Sequence, residues 1–423
     1  MEDKMCLAEG LVIPAEFEKI GHNLNVAVVG GTGSGKTVSY TESKLAHTHH
    51  SSVVVPLSKK KIKNKYKKLF KERGYKIIDM DFTHPEQCEV GYDPLYYIAD
   101  EMDAIQLARN IVGGNISGSK SGNVDPYWSE SAISILAAII LLVMTEAEEL
   151  GVRATFSDVI KVYRSMKIDY AQNTVVTSLD ERFAKLARKY RGNQACELWK
   201  TIKGLGSKTV SCILSVANTA VDKIFSPKVM DMSAKEQHVD FKELGNKKVV
   251  LFITTSPVNR TLQNYVNLFY ADMIKVLFEE AERKENGRLD VPINIICDDF
   301  ACGSKIQDFD QYISIFRAAG ISVTLLLQSE SQLSGMYGQT EAATIINNCD
   351  TYIYMGGMDI ETCRNVALRI NWPLNKVLSL PLETVAVFRR GAEPYVGRRY
   401  QTFEDPVYQK IMNIDSDDDN LAM

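Results

Sequence analysis

The stretch NVAVVGGTGSGKT, Asn25 to Thr37, decides the fold. It opens with a short apolar run rich in β-branched residues, which predicts a strand. The following loop matches the P-loop pattern and consists of Gly30, Gly31, Thr32, Gly33, Ser34, Gly35, Lys36 and Thr37. In such a loop the glycines turn backbone N–H groups towards phosphates, Lys36 reaches the β- and γ-phosphates, and the Thr37 hydroxyl binds Mg²⁺. The stretch therefore predicts a site for ATP and Mg²⁺.

Further β-rich runs predict the rest of a sheet. They are SSVVVP from Ser51, YKIIDMD from Tyr75, KKVVLFITTS from Lys247, INIICDD from Ile293, ISVTLLLQS from Ile321, DTYIYMGG from Asp350 and ETVAVFRR from Glu383. Strands that alternate with helix-length spacers favour an α/β fold with a doubly wound, mostly parallel sheet.

Strand signals are sparse between about Asp100 and Asn218, where helical periodicity dominates. We therefore predict an all-α domain inserted into the nucleotide-binding domain. The predicted boundaries are 1–99 for the first part of the nucleotide-binding domain, 100–218 for the inserted domain, 219–410 for the second part and 411–423 for an acidic, disordered tail.

A P-loop needs a partner carboxylate to hold the metal, and INIICDD provides two at the end of an apolar run. We expect Asp298 to contact Mg²⁺, directly or through water. Asp299 would then polarise the attacking water as a general base.

Two more polar residues flank the next β-rich run. Arg317 comes just before ISVTLLL, and Gln328 ends it. An arginine near a nucleotide can neutralise the transferring γ-phosphoryl group, in some enzymes from another subunit, and a glutamine can sense the γ-phosphate or orient water. On spacing alone, each of the two is more typical of an ordinary exposed surface residue, since Arg and Gln are mostly exposed.

Composition limits the class of protein. The 423 residues carry a formal net charge of −4, which argues against a surface coated for nucleic acid but not against a local basic channel. Eight cysteines without a CxxC pair indicate neither zinc nor disulfides and favour the cytosol. The longest apolar run, Ala132 to Met144, is shorter than the roughly 20 residues that span a bilayer, so we predict a buried helix.

The run SKKKIKNKYKKLFKER, Ser58 to Arg73, is strongly basic. Lysine clusters give salt-dependent affinity for nucleic-acid phosphates. Tyr66 and Phe70 lie four residues apart, so the alternative is a solvated helix that rests this aromatic stripe on the sheet.

Taken together, these motifs resemble those of the TraG/TraD-type coupling proteins of type IV secretion and bacterial conjugation. The resemblance is carried by GGTGSGKT, by YDPL from Tyr92, by DPYWSESA from Asp125 and above all by DDFACGSKIQDFDQYISIFRAAGISVTLLLQSESQL from Asp298. It extends from about Asn25 to Arg399. Such ATPases look like hexameric rings of the RecA/FtsK type at the inner-membrane entrance of the secretion channel, where they recruit relaxase-bound single-stranded DNA and drive its transfer.

The resemblance implies a RecA-like nucleotide-binding domain, a homo-hexamer and a place at the cytoplasmic face of the cell membrane. It also implies that residues from about Asp100 to Asn218 face the substrate. The positions of the family's nucleotide site fall on Lys36, Thr37, Asp298, Asp299, Arg317 and Gln328.

Two departures from the family pattern stand out. Members usually carry Glu where this chain has Asp299, whose carboxylate sits one methylene further back, so hydrolysis could be slow. Members also generally begin with transmembrane helices, and we find none here. We therefore expect membrane contact through a missing N-terminal segment or through a partner protein.

Two alternatives remain beside a DNA-transfer motor with possible protein cargo. Asp299 favours a docking platform that binds nucleotide with little hydrolysis. A DNA translocase of the FtsK/HerA type is disfavoured by the position of the helical insertion and by the missing DNA-reading domain at the chain end.

Overall fold

The computed structural model describes residues 2–57, 60–113, 126–171, 174–224, 226–256, 262–298, 300 and 305–412. Within these ranges the strands are β1 (Lys4–Ala8), β2 (Leu11–Pro14), β3 (Val26–Val29), β4 (Ser52–Leu57), β5 (Lys76–Asp81), β6 (Ile168–Ala171), β7 (Thr174–Thr177), β8 (Val249–Thr254), β9 (Ile293–Cys297), β10 (Ile321–Leu327), β11 (Thr351–Tyr354), β12 (Thr384–Arg389) and β13 (Tyr395–Arg398). Every strand predicted from the sequence is present. β1, β2, β6, β7 and β13 have no counterpart among the predicted strands.

Helices fill the spacers between strands. They are α1 (Phe17–Ile20), α2 (Ser43–Ala46), α3 (Lys60–Glu72), α4 (Glu101–Gly113), α5 (Pro126–Glu149), α6 (Phe156–Ser165), α7 (Asp180–Lys189), α8 (Gln194–Lys203), α9 (Ser207–Asp222), α10 (Pro227–Ser233), α11 (Lys242–Asn246), α12 (Gln263–Glu282), α13 (Phe309–Ala319), α14 (Glu330–Tyr337), α15 (Gln339–Asn347), α16 (Ile360–Ile370) and α17 (Leu374–Leu378). Residues 406–412 are also helical.

The chain divides into two compact units. The first comprises Met1–Thr83, Asp240–Val258 and Ile274–Met423, and the second His84–Val239 and Asn259–Met273. The sequence predicts an insertion of 100–218, so the second unit is wider than that prediction at both ends.

The first unit contains a nine-stranded sheet in the order β13-β12-β11-β3-β10-β9-β4-β8-β5. From β11 to β5 all neighbouring strands are parallel, whereas β12 and β13 add to one edge antiparallel. Strands β3, β8, β9 and β10 are buried along their whole length, as expected of parallel strands covered on both faces. The predicted α/β fold with a mostly parallel sheet is confirmed.

The basic helix α3 packs against this sheet through Tyr66 and Phe70, both fully buried, as the aromatic spacing predicts. Its lysines, however, are not all solvated. Lys63 and Lys65 are 7% exposed. The Lys63 ammonium lies 3.0 Å from a carboxylate oxygen of Asp79, and Lys65 pairs with Glu42. These lysines therefore neutralise acids of the same unit, of which Glu42 is buried and Asp79 half-buried.

The second unit contains α4 to α10 and, in addition to the predicted helices, the two-stranded antiparallel hairpin β6–β7. At its centre α5 packs against α4, α6, α8 and α9. Among the described residues α5 is the one helix long and apolar enough to cross a membrane, and 67% of its most apolar window is buried inside the protein. The structure thus confirms the predicted buried helix, which is longer than its apolar run.

The YDPL motif lies in this second unit and has a structural role there. The two carboxylate oxygens of Asp93 accept N–H bonds from Leu95 and Phe156, at 2.8 and 2.9 Å, and so join the motif to the start of α6. The Tyr92 hydroxyl donates to Asp272 at 2.5 Å. Burial raises the pKa of Asp93 to about 6, against the lowering effect of its two N–H donors.

Candidate nucleotide-binding site

Three neighbouring strands carry the polar residues that the sequence singles out. β3, β10 and β9 lie side by side in that order and are parallel. Their carboxyl ends therefore share one edge of the sheet, where Gly30 follows β3, Gln328 follows β10 and Asp298 follows β9. In open α/β sheets this is the edge at which ligands bind.

The P-loop, residues 30–37, follows β3 at this edge of the sheet, and its backbone turns tightly. Gly33 and Gly35 have φ angles of 79° and 87°, a region that residues with a Cβ rarely adopt. A Cβ on Gly35 would also lie 2.5 Å from Nη1 of Arg399. Left-handed residues alternating with ordinary ones turn successive N–H groups to one side, and this makes a concavity suited to a phosphate.

The helix after the P-loop starts as a π-helical stretch, Thr37–Glu42, and continues into α2. The N–H of Ser39 donates to the carbonyl of Gly35 at 2.8 Å. The amino end of this helix, where N–H groups lack intrahelical partners, therefore meets the loop and adds positive potential there.

Lys36 lies inside the loop and is only 7% exposed. Its ammonium donates to the carbonyl oxygens of Gly30, at 2.6 Å, and Gly31, at 3.1 Å. These bonds hold the charge at the concave side of the loop, where a lysine can reach β- and γ-phosphates.

Thr37 and Asp298 are in direct contact although 261 positions separate them in the sequence. The Thr37 hydroxyl lies 3.1 Å from Oδ1 and 3.0 Å from Oδ2 of Asp298. A hydroxyl and a carboxylate at this spacing are hard oxygen ligands of the kind Mg²⁺ prefers. Together with the phosphate-binding concavity, they fit a nucleotide with its magnesium ion.

Gln328 lies beside the first glycine of the loop. Leu327 pairs with Val29 in the sheet, and the N–H of Gly30 donates to the carbonyl of Leu327 at 3.0 Å. The next residue along β10, Gln328, is thus brought next to Gly30, with its side chain half-buried.

Arg317 lies at the opposite edge of the sheet. It is in the last turn of α13, just before β10 begins, and is exposed. Its Nη2 donates to the carbonyl of Gly21 at 2.8 Å. The length of β10, about 20 Å for seven residues, separates Arg317 from the P-loop of its own chain. The structure therefore does not bring Arg317 together with Lys36, Thr37 and Asp298.

Asp299, the predicted general base, lies outside the residues that the structure describes. On the other side of Asp298, Cys297 is 2% exposed. Burial, with a smaller contribution from the Asp298 charge, raises the pKa of the Cys297 thiol. A neutral buried thiol is a poor nucleophile, so Cys297 serves packing.

One arginine at the loop escapes sequence analysis. Arg399 follows β13 at the far edge of the sheet, and its Nη1 donates to the carbonyl of Ser34 at 3.1 Å. The local sequence offers no signal for this contact, because β13 is a short, partly exposed edge strand and Ser34 lies 365 positions away.

Comparisons with known proteins agree with this geometry. Residues 9–367 match the family of type IV secretory system conjugative DNA transfer proteins. No curated protein sequence matches the chain.

Solved structures share the fold at low sequence identity. The plasmid coupling protein TrwB in complex with the non-hydrolysable ATP analogue ADPNP has a TM-score of 0.64 and 17% identity, over 96% of this chain and 92% of that one. TrwB in complex with ADP and Mg²⁺ has a TM-score of 0.63 and 18% identity over the same shares of the two chains. VirB4 of Thermoanaerobacter pseudethanolicus has a TM-score of 0.56 and 11% identity, over 96% of this chain and 97% of that one.

Proposed function

The chain belongs to the family of type IV secretory system conjugative DNA transfer proteins, and we propose that it is the ATP-hydrolysing coupling protein of such a system. In this role it recruits relaxase-bound single-stranded DNA, with protein substrates as a further cargo, to the secretion channel and drives transfer. It acts as a homo-hexamer at the cytoplasmic face of the cell membrane.

The contact between Thr37 and Asp298 is the observation that carries this proposal. It joins the P-loop to the end of β9 by a hydroxyl–carboxylate pair at 3.0 to 3.1 Å, which is the arrangement needed to hold Mg²⁺ next to a triphosphate. The TrwB structures with ADPNP and with ADP and Mg²⁺ support ATP and Mg²⁺ as the ligands.

Each site residue then has a task. Lys36 neutralises charge on the β- and γ-phosphates, and Thr37 with Asp298 holds Mg²⁺, which offsets the charge that develops during phosphoryl transfer. Asp299 accepts a proton from the attacking water. Gln328, beside Gly30, orients that water or senses the γ-phosphate.

The distance of Arg317 from its own P-loop supports action on a neighbouring subunit. An arginine side chain reaches much less than the length of β10, whereas in a ring the exposed edge that carries Arg317 can face the P-loop edge of the next subunit. We propose that Arg317 neutralises the transferring phosphoryl group there. The position of Arg317 is therefore the feature that supports a ring-shaped homo-hexamer.

ATP hydrolysis with and without single-stranded DNA, combined with mass determination in solution, tests the proposal. We expect Mg²⁺-dependent hydrolysis that rises with DNA, and a hexameric mass under the same conditions. A chain that neither binds ATP nor responds to DNA would contradict the proposed function.

A docking platform with little hydrolysis is the second candidate, favoured by Asp299 in place of the family's Glu. Comparison of the wild type with Asp299→Glu separates the two. Hydrolysis by the wild type supports the motor. A wild type that binds ATP but stays inert with DNA, beside an active Asp299→Glu variant, supports the docking platform.

A further inference from the structure

The segment that follows β13 lies along the P-loop and its helix. We call residues 399–411 the C-terminal strap. Its polar contacts with this part of the chain are Arg399 Nη1 with the carbonyl of Ser34 at 3.1 Å, Thr402 Oγ1 with the carbonyl of Val38 at 2.9 Å and Asp405 Oδ2 with His47 Nε2 at 2.6 Å. The Tyr408 hydroxyl lies 2.6 Å from Nζ of Lys65 on α3. Ile411 packs with Leu45 and Ala46 in one buried cluster. The strap therefore follows the helix from the loop to its carboxyl end.

The bond from Arg399 fixes one peptide unit of the loop. Because a trans peptide is planar, its C=O and its N–H point in opposite directions. The Ser34 carbonyl faces Arg399, so the N–H of Gly35 in the same peptide points away from Arg399, towards the opposite side of the loop. Gly35 also has a φ of 87°, a conformation that glycine can leave at little cost.

Arg399 is itself firmly placed. Its N–H donates to the carbonyl of Glu383 at 2.8 Å, and its carbonyl accepts from Gln401 Nε2 at 2.9 Å. Its side chain is 28% exposed, and its Nη2 lies 4.0 Å from Oε1 of Glu383. The Arg399 backbone is thus held at the sheet edge, and its guanidinium is held by the hydrogen bond to the Ser34 carbonyl.

We propose that Arg399 is a positioning residue for triphosphate binding: by holding the Ser34 carbonyl outward, it keeps the Gly35 N–H turned into the phosphate cradle. The inference rests on the proposed function, since it needs a nucleotide in the P-loop. Arg399 acts through the Ser34–Gly35 peptide and lies beyond residue 367, where the family match ends.

Two variants of Arg399, one without and one with a hydrogen-bond donor, test the role in the full-length chain. Arg399→Met keeps the aliphatic stem and removes the donor, whereas Arg399→Lys keeps a donor that can reach a carbonyl oxygen. Arg398→Met is the matched control, because the neighbouring Arg398 also pairs with Glu383 but contacts Glu9 rather than the loop. The readouts are the Kd for a fluorescent ADP analogue with Mg²⁺, KM and kcat for ATP, and Tm without nucleotide.

Loss of one charge-assisted hydrogen bond predicts that Arg399→Met weakens nucleotide binding and raises KM about tenfold or more. We expect kcat to change less than KM, Arg399→Lys to stay within about threefold of the wild type, and Arg398→Met to bind as the wild type does. Tm without nucleotide should be similar for Arg399→Met and Arg398→Met.

Equal Kd values for Arg399→Met and Arg398→Met, with a wild type that binds nucleotide, would overturn the positioning role and leave the proposed function intact. The same holds if Arg399→Lys binds as poorly as Arg399→Met while both keep the wild-type Tm. If Arg399→Met does not fold, Arg399→Lys decides. A Kd within about threefold of the wild type supports the positioning role, because lysine restores the donor, and a Kd raised about tenfold or more at the wild-type Tm overturns it. A wild type that binds no nucleotide would overturn both proposals.

Discussion

The Thr37 hydroxyl lies within hydrogen-bond distance of both carboxylate oxygens of Asp298, at 3.1 and 3.0 Å. One residue begins the helix after the P-loop, and the other directly follows a strand that is separated from the P-loop strand by β10. The parallel order of the sheet brings them together, because it places the ends of β3, β10 and β9 at one edge. The nucleotide site is thus a consequence of sheet topology.

Replacement of Asp298 by Asn should remove the charge that holds the metal while leaving an oxygen for Thr37. We expect ATP hydrolysis to fall about 100-fold or more, and a higher Mg²⁺ concentration to be needed for half-maximal activity. The matched control is Asp290→Asn, at the other end of β9, where the carboxylate pairs with Lys284 on the surface. Equal Mg²⁺ dependence in the two variants would contradict the assignment of Asp298 as a metal ligand.

The trans role of Arg317 predicts complementation between two inactive variants. Arg317→Ala should bind ATP normally but lose about 10³-fold in turnover, and Lys36→Ala should not bind ATP. In mixed rings, an Arg317→Ala subunit can receive the intact arginine of a Lys36→Ala neighbour. We therefore expect activity to reappear when the two proteins are mixed. Retained hydrolysis in a ring of Arg317→Ala alone would refute the trans role.

Buried Lys65 should matter for stability. Its removal in Lys65→Met leaves the carboxylate of Glu42, 8% exposed, without its ion-pair partner, and should lower the free energy of unfolding by about 3 kcal/mol. Lys71→Met, on the exposed side of the same helix, should change it by less than about 0.5 kcal/mol. Urea denaturation of both variants measures the difference. Equal stabilities would show that the Lys65–Glu42 pair contributes no net stability.

The raised pKa of Asp93 predicts a pH dependence that opposes the usual behaviour of carboxylates. The folded protein holds the Asp93 proton up to a pH of about 6, whereas the unfolded chain releases it near 3.9. Between these values the folded state binds more protons, so this contribution to stability is present at low pH and is lost as pH rises through about 6.

The Asp93→Asn variant lacks this titration. Its thermal stability relative to the wild type should therefore rise between about pH 4 and pH 7, while the exposed control Asp231→Asn should follow the wild type. A constant difference between Asp93→Asn and the wild type across this range would contradict the raised pKa.

The sheet was largely predictable because its strands are buried on both faces. Val26–Val29 is a continuous apolar run, and Ile321–Leu327 is apolar apart from Ser322 and Thr324. Such runs indicate interior parallel strands. The edge strand β13 was not predictable. Tyr395–Arg398 has a partly exposed, mixed pattern, and it becomes a strand only through its pairing with β12.

The site divides in the same way. The P-loop and Asp298 stand out because each is a local pattern of a few adjacent residues with one chemical purpose. Arg399 has no such pattern, since its contact with Ser34 depends on how the chain returns to the P-loop from the sheet edge. The burial of Lys65 could not be predicted from the sequence. A lysine-rich helix indicates exposed lysines, and the acid that pairs with Lys65, Glu42, lies 23 residues earlier in the chain.

Binding of Mg·ATP to the wild-type chain and to Lys36→Ala, measured by calorimetry, tests the P-loop site most directly. We expect saturable binding by the wild type that requires Mg²⁺ for full affinity, and no measurable binding by Lys36→Ala, with Lys376→Ala on the surface as a control that binds normally. Equal ATP affinities of the wild type and Lys36→Ala, or no binding by the wild type, would contradict a nucleotide site in which the P-loop meets Asp298.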